Sequence, residues 1–354
     1  MFQYARNSKF TPSINDRVSC IVPTGAQAVR RIRLYSIFLL TVFGLSQAAA
    51  EGNRHYWSID NSLGVTLGYA RELVYQYTGS KDLLSELVWP LEGLVYYGTA
   101  LDYNYGALRN TGIYTNLAVR FGFYMPSGTI TDKDWLNGDA NGYFLTNFSA
   151  HDAISENTQW VDATVGYGLP LADVLIIRAG LTGAIMNLHW TARDGYIQYG
   201  PNTGDDYDTF IPWDSSFPKV ATYGTGMAYW QNWVFLAPVL EVLWQATPRL
   251  SLRGGTSIYI LNSCSDQDDH YLRLLQFTEI MAGGLGFEPR LSAVYGLTNT
   301  LVLGFEASWR YISGLRGNTK IMEIGSGYSE GPYADIAGTD YSVARCAFTV
   351  SARY

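Results

Sequence analysis

The sequence predicts an all-β protein, a transmembrane antiparallel up-and-down β-barrel of about ten strands with long extracellular extensions. Three observations predict it. An export signal precedes a chain with no apolar run long enough for a membrane helix; side chains alternate between apolar and polar with a period of two; and the connections between alternating segments are by turns short and long.

The signal is read from Arg30-Arg31-Ile32-Arg33, the apolar run Leu34 to Leu45, and Ser46-Gln47-Ala48-Ala49-Ala50. A basic flank, a short apolar core and a small-x-small exit describe a secretory signal, cleaved after Ala50. The run falls short of the ~20 residues a spanning helix needs. Residues 1–50 are thus expected to be an N-terminal extension and cleaved signal peptide. Residues 51–354, which no linker or charge block divides, are expected to be one barrel domain.

Alternation is clearest in three segments. Leu117, Val119, Phe121, Phe123 and Met125 interleave with Asn116, Ala118, Arg120, Gly122 and Tyr124; Thr300 to Tyr311 repeats this with Leu301, Leu303, Phe305, Ala307, Trp309 and Tyr311; and Cys346 to Tyr354 closes on an aromatic residue, as outer-membrane barrels do. Weaker period-two segments cover Trp57 to Tyr77, Leu83 to Tyr105, Gln159 to Tyr167, Val174 to Gly195, Thr222 to Gln245, Arg249 to Asn262 and Gln276 to Tyr295. Tight turns are expected at 169–173, 246–248 and 296–299, and long polar loops over 131–158, 196–221 and 316–339. Short turns belong on the periplasmic side and long loops outside. A soluble sandwich or lipocalin-like barrel accommodates the export signal and the aromatic load less well. Trp190 and the many Tyr residues are expected in interfacial girdles.

Composition narrows the function classes. A charged share of 16% with 15% aromatics does not suit a soluble α/β enzyme, and a net charge of −7 argues against a nucleic-acid partner while leaving room for cationic ones. Cys20 falls in the expected signal region. Cys264 and Cys346 make neither a disulfide framework nor a metal motif.

Chemistry concentrates in Ser263-Cys264-Ser265-Asp266-Gln267-Asp268-Asp269-His270-Tyr271. In an extended segment Asp266, Asp268 and His270 share one face and Asp269 takes the other. A carboxylate two residues from an imidazole can accept its N–H and fix its tautomer. Thr131-Asp132-Lys133-Asp134-Trp135 offers a second carboxylate pair at the same spacing. Were the two strand ends to meet across the barrel mouth, His270 oriented by Asp268 would act as general base on a water, and Asp132 with Asp134 would bind that water and handle the second proton. Three alternatives stay open on the residues alone. The carboxylates and imidazole could hold Ca²⁺ or Mn²⁺, although no second well-placed His and no calcium-loop spacing appear. Ser265 or Cys264 could pair with His270 as nucleophile. A non-enzymatic adhesin or narrow pore could use the acids to bind cations. His55, His151 and His189 have no acidic partner at comparable spacing.

The sequence resembles the omptin family of outer-membrane proteases. Asp132-Lys133-Asp134-Trp135, Asp266-Gln267-Asp268-Asp269-His270-Tyr271, Arg71-Glu72-Leu73-Val74-Tyr75 and Thr191-Ala192-Arg193 carry the resemblance, in family order, from about Trp57 to Tyr354. It implies a ten-stranded, monomeric barrel in the bacterial outer membrane, held by membrane lipid. Its groove faces the cell exterior and cleaves cationic peptides or proteins between consecutive basic residues, with neither metal nor other cofactor and no covalent intermediate. Carried over by position, Asp268 and His270 look like the catalytic dyad, Asp132 and Asp134 like the carboxylate couple, and Glu72 and Asp266 like the substrate-binding pocket for an Arg or Lys side chain. There are departures. Asp269 stands where Glu is usual, and Leu272 where an acid is common. Gly183, Ile185 and Asn187 stand where the best-known members bind lipopolysaccharide, the family's activator, through an aromatic, an acidic and a basic residue.

Overall fold

The computed structural model describes residues 55–76, 83–136, 144–200 and 211–354; the extension and signal read from residues 1–50 lie outside them. The described residues form fourteen antiparallel strand segments: β1 (His55–Tyr75), β2 (Leu83–Pro90), β3 (Val95–Tyr105), β4 (Gly112–Gly122), β5 (Met125–Asp134), β6 (Asn147–Ala172), β7 (Leu175–Tyr199), β8 (Val220–Ala221), β9 (Thr225–Gln245), β10 (Leu250–Tyr259), β11 (Leu261–His270), β12 (Leu275–Gly296), β13 (Leu301–Glu323) and β14 (Ser329–Arg353). Three passages through the wall are each drawn from two segments. β2 and β3 run in succession along β1, β5 and β4 along β6, and β10 and β11 along β9 and β12. With β8 a two-residue addition to β7, the ring has ten staves, the expected number. Pairing of β14 with β1, from Ser58↔Arg353 to Val74↔Ala337, closes it. Closure leaves no edge with unpaired peptide groups, which a lipid environment requires.

Interruptions in the staves feed the interior. Between β2 and β3 the chain turns inward, Leu91 N–H bonds to the Gly68 carbonyl at 2.7 Å, and Leu91 and Leu94 become fully buried. Gly68 also lies tight against β14. Its φ is +146°, and a Cβ there would lie 2.0 Å from the Ser342 carbonyl oxygen.

The outer face of the lower half is an apolar belt to which Leu63, Leu181, Leu291, Leu303, Phe305 and Phe348 contribute, each more than one-third exposed. Its upper limit runs near Leu67, Ile185, Leu261 and Leu285. The turns at 106–111, 173–174, 246–249 and 297–300 all lie at the lower end, as expected of the periplasmic side. At the upper end the long-loop expectation needs correcting. β5 continues to Asp134 and β6 begins at Asn147, while β13 and β14 carry 316–339 as a hairpin turning at Ile324–Tyr328. Above the belt a strand has water on its outer face, so its outward residues are polar and the hydrophobic period of two disappears although the hydrogen-bond ladder continues.

Two layers fill the lumen. In the lower one, Arg310 bonds to Glu288 at 2.7 Å and reaches Asp162, five staves away, at 2.9 Å; Arg345 and Arg290 also bond to Glu288, and Arg120 to Asp162. Above it, Trp89 stacks on Tyr229 with ring centroids 4.8 Å apart, and Trp190, fully buried, donates its indole N–H to the Pro90 carbonyl at 3.0 Å. The girdle expected to contain Trp190 is therefore not its place. It belongs to the lumen core, because the inward face of β7 is apolar from Ala184 through Met186 and Leu188 to Ala192.

Candidate active site

β11 carries the acidic stretch as a regular strand, so the extended segment in which Asp266, Asp268 and His270 share a face continues past Asn262, where the expected period-two segment ends. It is paired on both sides, Asp266 opposite Gln231 of β9 and Glu279 of β12, and Asp268 opposite Tyr229 and Phe277. Pairing on both sides keeps the alternation strict, so Asp266, Asp268 and His270 point inward and are buried. The His270 Nε2 lies 2.5 Å from Asp268 Oδ2, and the Phe277 ring meets the imidazole edge-on at 5.4 Å. Asp269, on the other face, accepts hydrogen bonds from Gln267 and Gln276.

The second pair also lies within a strand. Asp132 and Asp134, on β5, sit opposite Leu87 and Ser85 of β2 and opposite Ser149 and Asn147 of β6, and both are buried. Burial, and next the charge of Asp134, push Asp132 up to about 7, against the opposing pull of Arg273 and His270. That pull spans the mouth. β5 and β11 stand four staves apart, and the field of His270 still reaches Asp132.

Glu72 completes the constellation. It points inward from β1 and is 2% exposed, while its neighbour Arg71 points outward to pair with Asp340 and Glu86. The sequence neighbour therefore does not neutralise it. Burial is the largest cause of a carboxyl held well above its usual range, followed by the charges of Asp268, Glu279, Asp266 and Asp132, all negative. Asp266 is pushed up to about 7 by burial although Tyr229 donates a hydrogen bond to its Oδ2 at 2.8 Å. Buried oxygens without a partner remain on Glu72 (Oε2), Asp132 (Oδ1), Asp266 (Oδ1) and Asp268 (Oδ1). Such oxygens are costly in a folded protein unless something fills their place in the working state.

Several participants escaped the sequence reading. Glu279, 1% exposed, faces the mouth beside Asp266; Thr319 donates to its Oε1 at 2.6 Å; and Gln231 bridges the Tyr229 hydroxyl to Thr339, which pairs with Glu72 in register. Arg273, at the exposed turn after β11, supplies the cationic pull on Asp132. Only an acid on the inward face of β12, next to Phe277 and Met281, could have flagged Glu279, and its register with Asp266 is not written in the sequence.

Geometry also weighs the competing chemistries. Ser265 lies on the outer face and cannot meet His270; Cys264 shares the inner face but is six residues away, roughly 20 Å along a strand. Among the described residues no three acidic, histidine or cysteine side chains converge closely enough to hold one metal ion. The other histidines have local partners. His151 bonds to the Asp194 carbonyl and Ser149, His55 to Tyr103, and His189 stacks on Trp230.

Fold and site together define a closed outer-membrane barrel whose inward acids, at the end away from the short turns, stand open to the cell exterior. The chain belongs to the omptin family, whose model matches residues 54–354, and as a member it is an outer-membrane β-barrel protease. It is 24% identical to the plasminogen activator of Yersinia pestis over 80% of this chain and 84% of that one. Its fold is that of the outer-membrane protease OmpT of Escherichia coli, with a TM-score of 0.73, 17% identity, and coverage of 87% of this chain and 99% of that one.

Proposed function

We propose that the chain is an endopeptidase that cuts cationic peptides or proteins at Arg or Lys, using a water activated between Asp132 and His270. The observation that carries this is the 2.5 Å contact of His270 with Asp268 on one rim, with a buried carboxylate pair on the inward side of β5, four staves away. Asp268 holds the imidazole in one tautomer, leaving Nδ1 to take a proton from the water as it attacks the peptide carbonyl. Asp132, sharing its surroundings with Asp134, keeps a proton near neutral pH and supplies it as the tetrahedral intermediate collapses. The leaving amine departs protonated, and no covalent intermediate forms. Glu72 and Asp266 accept the substrate's cationic side chain.

On this reading the enzyme is an aspartate-histidine hydrolase that works as a monomer in outer-membrane lipid with neither metal nor cofactor. β7 presents Gly183, Ile185 and Asn187 outward. None carries a charge to hold a lipid phosphate, so the reading includes no lipopolysaccharide requirement.

The test is turnover of a quenched dibasic peptide by the refolded barrel, with and without chelator and with and without lipopolysaccharide. His270→Ala and Asp132→Ala should each lower kcat/KM by roughly 10²–10⁴, the usual range for a general acid or base, in barrels that keep the wild-type circular dichroism. Undiminished turnover in either variant refutes the mechanism, and loss of turnover with chelator moves it to a metal.

A further inference from the structure

The acid pocket has a third wall. Asp266 and Glu279 are directly opposed across β11 and β12, so their side chains leave the sheet on the same face, and Glu279 is among the negative groups acting most strongly on Glu72. Three buried acids thus border one space from three strands. Each has one free oxygen: Glu72 Oε2, Asp266 Oδ1 and Glu279 Oε2 are buried and unpartnered. The other oxygens of two of them are already occupied, Asp266 Oδ2 by the Tyr229 hydroxyl and Glu279 Oε1 by Thr319. These bonds fix the carboxylates, so the free acceptors are presented by held groups.

Their placement on three strands says what fits between them. No metal-sized convergence of acids exists among the described residues. Acceptors spread over three strands suit a cation whose charge and donors are spread likewise. A guanidinium offers five N–H donors in a rigid planar fork, whereas an ammonium is a compact point charge with three. An ammonium directs its three donors from a single centre, whereas a guanidinium spreads five over a plane, the better match to acceptors held on three separate strands.

We propose that Glu279 is a specificity-determining residue that turns a two-acid pocket into a three-acid guanidinium site, so that the enzyme prefers arginine to lysine at the cleavage position. Its role in cleavage rests on the function proposed above, but its role in binding does not.

Two measurements test it. Binding of Nα-acetyl-arginine amide and Nα-acetyl-lysine amide to the wild-type barrel, followed by calorimetry, should favour arginine by roughly tenfold or more, the worth of one charge-assisted hydrogen bond. Equal affinities overturn the proposal without recourse to any variant. Glu279→Gln, which keeps an acceptor for Thr319, should remove most of that preference in binding. In turnover of matched Arg and Lys peptides, the same variant should raise KM for the Arg peptide far more than it changes kcat. A purely structural role would instead affect both peptides alike, and that result counts against the proposal. Glu279-dependent arginine binding by a barrel that cuts no peptide would support the pocket and refute the hydrolase. Cleavage with an Arg/Lys ratio untouched by Glu279→Gln would do the reverse.

Discussion

The lower lumen and the mouth of this barrel hold the same kinds of residue on the same inward face, yet treat them oppositely. Below, Glu288 is shared among Arg290, Arg310 and Arg345, and Asp162 between Arg120 and Arg310. Above, Glu72, Asp266 and Glu279 have hydroxyl or amide neighbours at best, and each keeps a free oxygen. Pairing in the lower layer ties opposite walls together and fills the lumen. Its absence in the upper layer leaves buried acids with an unpartnered oxygen each, the acceptors that the proposed cationic side chain would satisfy. Acid content therefore does not distinguish a structural layer from a working one. The placement of arginines does.

The strongest way to break this contrast is to remove the central cation. Arg310→Met leaves Asp162 with one arginine and Glu288 without the guanidinium that spans the lumen, and stripping one partner from a buried network typically costs about 3–5 kcal/mol. Thermal unfolding in detergent should show a large fall in stability, while the pH profile and Arg/Lys preference of the surviving activity stay as in wild type. A fall no greater than for a surface substitution would mean that the ladder does not hold the walls together.

How much of this was legible beforehand differs between the layers for the same physical reason. Alternation set Leu303, Phe305 and Phe348 on apolar faces that prove to be the exposed outer ones, and the ten staves followed from counting such segments. Asp266, Asp268 and His270 could be placed on one face because a strand has only two. What a strand cannot reveal alone is its neighbour. The opposition of Asp266 to Glu279 and the reach of Arg310 to Asp162 arise from register and closure, and neither leaves a trace in local sequence. Trp190 was misplaced because alternation says that faces differ without saying which one meets lipid.

A middle-sized effect should appear in the dependence of stability on pH. Asp266 titrates near 7 in the folded barrel against an ordinary value of 3.8, burial being the main cause. Below about pH 4 both folded and unfolded forms are protonated and nothing is lost. Between about 4 and 7 the unfolded chain ionises while the folded one keeps its proton, so this group's contribution to stability falls as pH rises, then levels off above 7. Asp266→Asn, whose amide oxygen still accepts from Tyr229, should accordingly unfold at a higher temperature than wild type at pH 8 and at nearly the same temperature at pH 4. The gain comes with weaker binding of cationic peptide, the usual trade between stability and a strained site. A variant equally stabilised at both pH values would show that burial of the charge is not the cause.

The smallest effect tests the alternation itself. Ser265 stands between the inward Cys264 and Asp266 on β11 but projects from the outer face, exposed, with no part in either layer. Ser265→Ala should change stability by no more than about 0.5 kcal/mol, as exposed substitutions do, and should leave kcat/KM for the dibasic peptide at the wild-type level. His270→Ala, five positions along the same strand, should remove most of it. A large loss from Ser265→Ala would instead mean that the face of β11 has been assigned wrongly, and the separation of paired from unpaired acids would go with it.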